Sequence, residues 1–431
     1  MFNFIKTHMA QIASLFGAVC LIFVGGVLLG LHGRQPARFI GDTFETAVRL
    51  TTQFRNSISS MPREHLRERI HQGDGVVVSD PPRMQSGVTF LSGIFGNELG
   101  FRLVAADGTL VHKWPVNGFD LYPEEMKHKF HALIHGSHLY PNGDVIANVT
   151  GRGMIRIDAC GKVIWRNREH THHAIDVAAD GVIWAPSWGP IYTEPSIHPD
   201  PFPFDNIKAF DPDSGKRLFD VDLVESLVNS GLTGLIQSAQ REPSDLIHLN
   251  DVEILDPDMA PAFPMFEAGD LLISSRATQH ILVLDGQDYK IKWRFGGPMH
   301  GQHDPDFNPD GTITLLDNGA AGEATAANGH LGNIGGSRIL SINPATGDFR
   351  VLFEASEKNS FYTEQRGKHQ LLTNGNILIA ETDAGRAFEV TPDGDVVWSY
   401  INGYDEAQVG WLMSAARYPD SYRLIGDTIC D

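Results

Sequence analysis

From about residue 88 to the C-terminus, short runs of Val, Ile, Leu and Phe alternate with turns built on Asp-Gly or Asn-Gly. Such turns supply the positive φ of tight hairpins, and the β-branched runs suit strands buried on both faces. The unit recurs. Residues 103–106 lead into Asp107-Gly108 and end at Trp114. Asn142-Gly143 precedes strands at 145–146 and 155–158, ending at Trp165. Asp180-Gly181 precedes 182–184 and 207–211. Gly269-Asp270 precedes 271–273 and 281–285, ending at Trp293. Asp310-Gly311 precedes 312–314 and 338–342. Asn374-Gly375 precedes 376–379 and 388–390, ending at Trp398. Six copies of a four-stranded unit predict an all-β, six-bladed β-propeller. The first copy is short of strands, and residues 411–424 are expected to add the missing one and close the ring, which removes unpaired edges. Each terminal Trp is expected to cover its outer strand. Insertions at 186–206, 223–246 and 319–336 break the rhythm and are expected at the rim, the second with short helices.

Ahead of the repeats the pattern differs. Residues 9–31 carry no charge and are long enough to span a bilayer as a helix. Val19 before Cys20 fits a lipoprotein cleavage site poorly, so an uncleaved anchor is favoured. Phe39, Phe44, Val48, Leu50 and Phe54 are spaced along one helix face, Met61-Pro62 breaks that pattern, and a second short helix is expected around His65 to Ile70. The expected organisation is an anchor over 1–35, a juxtamembrane helical linker over 36–86 and the propeller over 87–431. A short N-terminal tail before a large domain places the propeller in the periplasm, single-pass on a bacterial inner membrane.

Charge and cysteine content narrow the function. A formal net charge of −19 over 431 residues excludes nucleic acid as a partner and requires local cations for any anionic substrate. Three cysteines are no disulfide scaffold. Cys160 and Cys430 would form a ring-closing bridge if paired; two separate thiols are the plainer reading.

The chemistry lies in the histidines. His135, His173 and His303 each stand eight residues before a turn glycine (Gly143, Gly181, Gly311), and His248 holds the same place in a longer unit. Equivalent positions in a propeller form a ring about the central tunnel. Neutral imidazoles gathered there suit nucleophilic or general-base work, or the binding of a transition metal such as iron. A lone histidine at a strand start is ordinarily structural, and His131, His138, His170 and His172 are read so. Nucleotide-binding glycine motifs, a G-x-S-x-G elbow and H-E-x-x-H are absent from the sequence.

Residues 245–253 (Asp-Leu-Ile-His-Leu-Asn-Asp-Val-Glu), Ser274-Ser275-Arg276, Trp293-Arg294-Phe295-Gly296, Gln302-His303-Asp304 and Asp317-Asn318-Gly319 resemble the central blades of bacterial arylsulfotransferases. The resemblance spans roughly residues 90–400. It implies a periplasmic six-bladed propeller that moves a sulfuryl group from a phenolic sulfate to a phenol through a sulfohistidine, with no cofactor. It makes His248 and His303 tunnel residues and has Arg276 either facing the site or bracing its blade; Asn318, with His135 and His173 of the ring, is expected at the substrate. Two departures follow. The family has an Arg soon after Asp-Asn-Gly; here Ala320-Ala321-Gly322-Glu323 follows, and Arg338 is the nearest replacement. The family nucleophile lies late in the ring, where only His369 is available and Glu381, Thr382 and Asp383 hold the expected strand.

Three readings therefore stand. The first is a membrane-anchored arylsulfotransferase-like propeller using His303, His248, His369 and Arg338 on a small aromatic or anionic substrate. The second is a metal enzyme ligated by His135, His173, His248 and His303. The third is a non-catalytic propeller docking an envelope protein partner or a second copy.

Overall fold

The computed structural model describes Phe23 and residues 62–122, 124–125, 130–198, 200–238, 245–319 and 336–430. The chain divides into two units, Met1–Arg63 and Glu64–Asp431. The expected spanning segment, the first amphipathic helix and most of the 319–336 insertion lie outside the described residues, Phe23 apart. No described helix is long and apolar enough to cross a membrane.

The second unit is a six-bladed β-propeller of antiparallel blades. Blade 1 runs from tunnel to rim as Leu412–Tyr418, Val88–Phe95, Glu98–Ala105 and Leu110–Val116. Blade 2 holds Ile134–Leu139, Val145–Val149, Gly153–Ile157 and Val163–Arg166; blade 3 holds Asp176–Val177, Ile183–Tyr192, Phe202–Phe210 and Arg217–Asp222. Blade 4 is Leu249–Ile254, Leu271–Ser275, His280–Leu284 and Ile291–Gly296, and blade 5 is His303–Phe307, Ile313–Asp317, Arg338–Ile342 and Phe349–Glu354. Blade 6 is Lys368–Leu371, Ile377–Glu381, Arg386–Val390 and Val396–Ile401, with Gly75–Ser79 added as a fifth, outer strand. The innermost strand of blade 1 comes from the C-terminal end, as the short first copy required. The second strands are buried along their whole length in every blade but blade 3, because both faces meet neighbouring blades.

Three expectations change. The segment around His65 to Ile70 is not a helix: a single 3-10 turn, Arg63–His65, leads into the strand Leu66–Glu68, which pairs with Gln408–Gly410. The stretch called linker therefore contributes strands from residue 66 onward. Residues 186–192 and 202–206 are not loop: they lengthen two strands of blade 3, with Trp188 opposite Asp205. The terminal Trp residues tie blades together. Their indole N–H groups donate to Gly143 O, Pro212 O, Pro344 O and Ala106 O, each on the next blade, at 2.9–3.0 Å. The insertion after blade 3 holds two helices, Leu223–Asn229 and Thr233–Ser238.

Cys160 and Cys430 form a disulfide across 270 residues. It pins the C-terminal tail, whose Ile425 joins the core between blades 1 and 2. Cross-linking distant residues stabilises chiefly by constraining the unfolded chain. Cys160→Ser is expected to cost about 2–4 kcal/mol, measured as an earlier urea midpoint and reproduced by reductant on the unmodified protein.

Candidate functional site

The tunnel is lined where each blade's innermost strand begins. Of the seven described non-glycine residues with positive φ, four stand there: His173 (55°), His248 (49°), Asp304 (57°) and Arg366 (62°). L-residues rarely occupy this region, and strain of this kind persists only where surrounding contacts over-determine it. The contacts are present. At the end of blade 2's second strand, Asn148 donates from its amide nitrogen to the carbonyls of His172, His173 and Ala174. Asn318, at the equivalent place in blade 5, donates to Thr363 O and Arg366 O at 2.9 and 2.8 Å. Ser275 does the same in blade 4, toward Ile247 O.

Four imidazoles gather on this tunnel from blades 2 to 5. The His135 and His173 rings lie 4.5 Å apart, and the His173 and His248 rings 5.0 Å apart, edge to face. His303 shares a constriction of about 20 Å³ with His135, His173, Arg366, Lys368 and Met413. Burial, reinforced by neighbouring histidines and for His135 also by Arg366, holds His135 and His173 well below the usual imidazole range. Burial likewise brings His303 down to about 3 although Asn318 favours its cation. These three are neutral bases near pH 7. The Asn318 amide nitrogen is occupied by carbonyls, so its oxygen accepts from His303 Nδ1–H at 2.7 Å. The remaining His303 nitrogen, Nε2, accepts the Arg366 backbone N–H at 3.2 Å. In His248, Nδ1 donates to Asp245 Oδ2 at 2.6 Å, so Nε2 bears the lone pair.

His248 and His173 face a cavity of about 490 Å³ at one mouth, with Trp188, Pro203, Phe204, Leu246 and Ile247 as its apolar wall. Its size and aromatic lining suit one planar ring. Arg366 lines the constriction with His135, His173 and His303, and its guanidinium stacks on Trp411 at 4.0 Å while Arg67 covers Trp411 at 4.1 Å. Burial lowers its pKa to about 10, which leaves it charged at neutral pH.

The other candidates fall elsewhere. Arg338 ion-pairs with buried Asp317 at 2.9 Å and donates to Pro298 O, so it braces blade 5 and does not replace the missing cation. Asn318 is fully buried and holds His303 and the entry to blade 6. Arg276 lines neither the constriction nor the cavity that His248 faces, and its Nε is buried with no hydrogen-bond partner among the described residues. His369 is two residues past the ring position. Its Nδ1 meets Asp304 Oδ2 at 3.0 Å and its Nε2 meets Thr314 Oγ1 at 2.8 Å. The ring position of blade 6 is Gly367, at φ +91°, where a Cβ would meet Leu316 at 2.9 Å. Counting eight back from Gly375 lands on it, so the register that found the histidines would also have found its neighbours Arg366 and Lys368.

No three of the four tunnel histidines bring ligand nitrogens together at metal-binding spacing. Among the described residues the set that does is Asp304, Asp306 and His369, within 4.8 Å of one another. It opens on a cavity of about 700 Å³ at the other mouth, with Asp176, Glu253 and Lys368. Lys368 already bonds Asp304 there and meets Asp251 at 3.2 Å. Burial pushes Asp176 up to about 6 and Asp251 up to about 7, the latter despite Lys368. A folded carboxyl that holds its proton more tightly than the unfolded one stabilises the fold below pH about 4 and loses that contribution as pH rises toward 7. The neutral tunnel histidines act in the opposite direction, so a difference between proteins isolates the carboxyl. The Tm of Asp251→Asn minus that of the unmodified protein is expected to grow more positive from pH 5 to pH 8.

A six-bladed propeller with a histidine-lined axial tunnel is the class this structure defines. The arylsulfotransferase (ASST) family model matches residues 137–403, and the chain belongs to that family. No curated protein matches the chain. Similar solved structures include a protein of unknown function from Bacteroides caccae, at 11% identity over 77% of this chain and 98% of that one, TM-score 0.48. Hydrazine synthase of Kuenenia stuttgartiensis shows 12% identity over 70% and 74%, TM-score 0.42. Virginiamycin B lyase of Staphylococcus aureus shows 12% over 62% and 69%, TM-score 0.35. Likeness at this level carries no statement about activity.

Proposed function

We propose that this arylsulfotransferase-like propeller transfers a sulfuryl group between phenols without a nucleotide, with His248 as the carrier. The observation that supports it is the aromatic-walled cavity ending on His248, whose Nδ1–H is held by Asp245 so that Nε2 bears the lone pair. In blade 6, where the family resemblance seeks the nucleophile, Gly367 leaves no imidazole at the ring position. His248 Nε2 would attack sulfur, an N–S bond forming as the S–O(aryl) bond breaks and the phenolate leaves. An acceptor phenol then loses its proton, its oxygen attacks sulfur, and the N–S electron pair returns to Nε2. Arg366 and the neutral imidazoles supply the electrostatic cradle for the sulfate oxygens. The Cys160–Cys430 bridge favours an oxidising compartment, in keeping with a propeller held in the periplasm by the apolar segment 9–31. The test is release of 4-nitrophenolate from 4-nitrophenyl sulfate, dependent on an added phenol and matched by formation of its sulfate. Absence of both products with the intact protein overturns the reading.

A further inference from the structure

We infer that Asp205 and His172 form a proton relay behind His173, which makes His173 the base for the acceptor phenol; the inference rests on the sulfuryl-transfer reading above. The three groups stand in line. His172 is 2% exposed, and its Nδ1 lies 2.7 Å from His173 Nδ1, so one of the two must donate. The other His172 nitrogen, Nε2, is buried without an aligned hydrogen bond and stands 3.3 Å from Asp205 Oδ1. A carboxylate at that nitrogen favours its proton there. His172 Nδ1 is then the acceptor, His173 donates from Nδ1, and His173 Nε2 is left as the basic nitrogen. Asp205 is fixed in turn, because its Oδ2 accepts the Leu249 N–H at 2.6 Å, one residue from His248. One carboxylate thus braces the backbone beside the carrier and the imidazole behind the base.

The scaffold around His173 holds the line. Its strained backbone is held by Asn148, and Gly136 N–H donates to His173 O at 2.7 Å. A Cβ at Gly136 would stand 2.6 Å from that oxygen, so only glycine permits the approach. The His172 N–H is spent on Pro186 O at 3.0 Å. Asp205 comes from the lengthened hairpin of blade 3, which also brings Trp188 and Phe204 to the cavity wall. The same insertion therefore shapes the aryl site and supplies the relay. Beyond His172, the histidines that bear on His173 are His135, His248 and His303, and the carboxyls of Asp205 and Asp245 line the same cavity.

The step balances. The phenol O–H proton passes to His173 Nε2 as the phenol oxygen attacks sulfur. The N–S bond breaks, and its electron pair returns to His248 Nε2. The transient charge on His173 is met through Nδ1–H, His172 and Asp205, and the proton then leaves to water or to a phenolate product. Asp205 and His172 are positioning residues, since neither touches the substrate.

The test uses a series of acceptor phenols whose own pKa values run from below to above the assay pH, with one aryl sulfate donor. Asp205→Asn keeps an acceptor for the Leu249 N–H but removes the charge. It is expected to lower kcat/KM for weakly acidic phenols about 10²-fold more than for phenols already ionised. His172→Asn, which keeps an acceptor for His173 and cuts the link to Asp205, is expected to repeat the pattern. Equal losses across the whole series in either folded variant mark a merely structural role and overturn the relay. Failure of the intact protein to release phenolate from the donor overturns the sulfuryl-transfer reading, and the relay with it.

Discussion

His248→Ala is expected to lower sulfuryl transfer by at least about 10³-fold, roughly 4 kcal/mol of activation free energy. The loss should fall on the donor half-reaction as well as on turnover, because the alanine enzyme has no nitrogen to accept sulfur. The unmodified protein mixed with donor alone should gain the mass of one SO₃ on the peptide carrying His248, and the variant should not. His303→Ala makes a different prediction. Its Nε2 holds the Arg366 backbone and its Nδ1 bonds Asn318, so its loss should loosen the sulfate cradle and raise KM for the donor more than it lowers kcat. Addition of free imidazole should restore part of the activity of His248→Ala and none of that of His303→Ala. The reverse pattern would assign the carrier role to His303.

Arg417→Ala is expected to be the most destabilising single change in the closing strand. Arg417 stands on Leu412–Tyr418, the C-terminal strand that completes blade 1, and ion-pairs at 3.0 Å with Glu389 of blade 6. Their side chains are 2% and 0% exposed. The guanidinium also donates to Thr89 Oγ1 and Gln85 O, while Glu389 Oε1 accepts the Gln85 N–H and the Asn376 amide. Removing one partner of a buried pair leaves the other charged and unpaired, at a cost of about 3–5 kcal/mol. Here the loss falls on ring closure, where blade 6 meets blade 1. Chemical denaturation should show the drop. The double variant Arg417→Met, Glu389→Gln should recover most of it, because the cost lies in the orphaned charge. A small effect of the single variant would mean that the Trp398 bond to Ala106 O and the disulfide carry closure without the pair.

The blade count was legible because each blade repeats one local pattern, a hairpin turn between apolar runs, that needs no distant partner to be recognised. The closing strand was legible by elimination, since a first copy short of a strand demands one from the other end. The histidine ring followed from the same register: His135, His173 and His303 share one distance from a turn glycine. Three things were not legible. Residues 66–68 and 75–79 gave no strand alternation strong enough to reveal them as strands, and they became strands by pairing with 408–410 and 398–401. Arg338 and Arg366 are both plain arginines in sequence, yet one is spent on Asp317 and the other lines the tunnel. His172, adjacent to His173, reads as a structural neighbour until Asp205 arrives beside it from another strand.

Local chemistry in the chain therefore determined the propeller, its six blades and which histidines share a level around the axis. Those features depend on turn conformation and on the periodicity of burial, which are written residue by residue. Tertiary structure alone decided which nitrogen of each imidazole carries its proton, which cation reaches the tunnel, and which carboxylate backs which base. Protonation and charge pairing depend on what stands within about 3 Å, and in this fold those neighbours come from different strands and often from different blades.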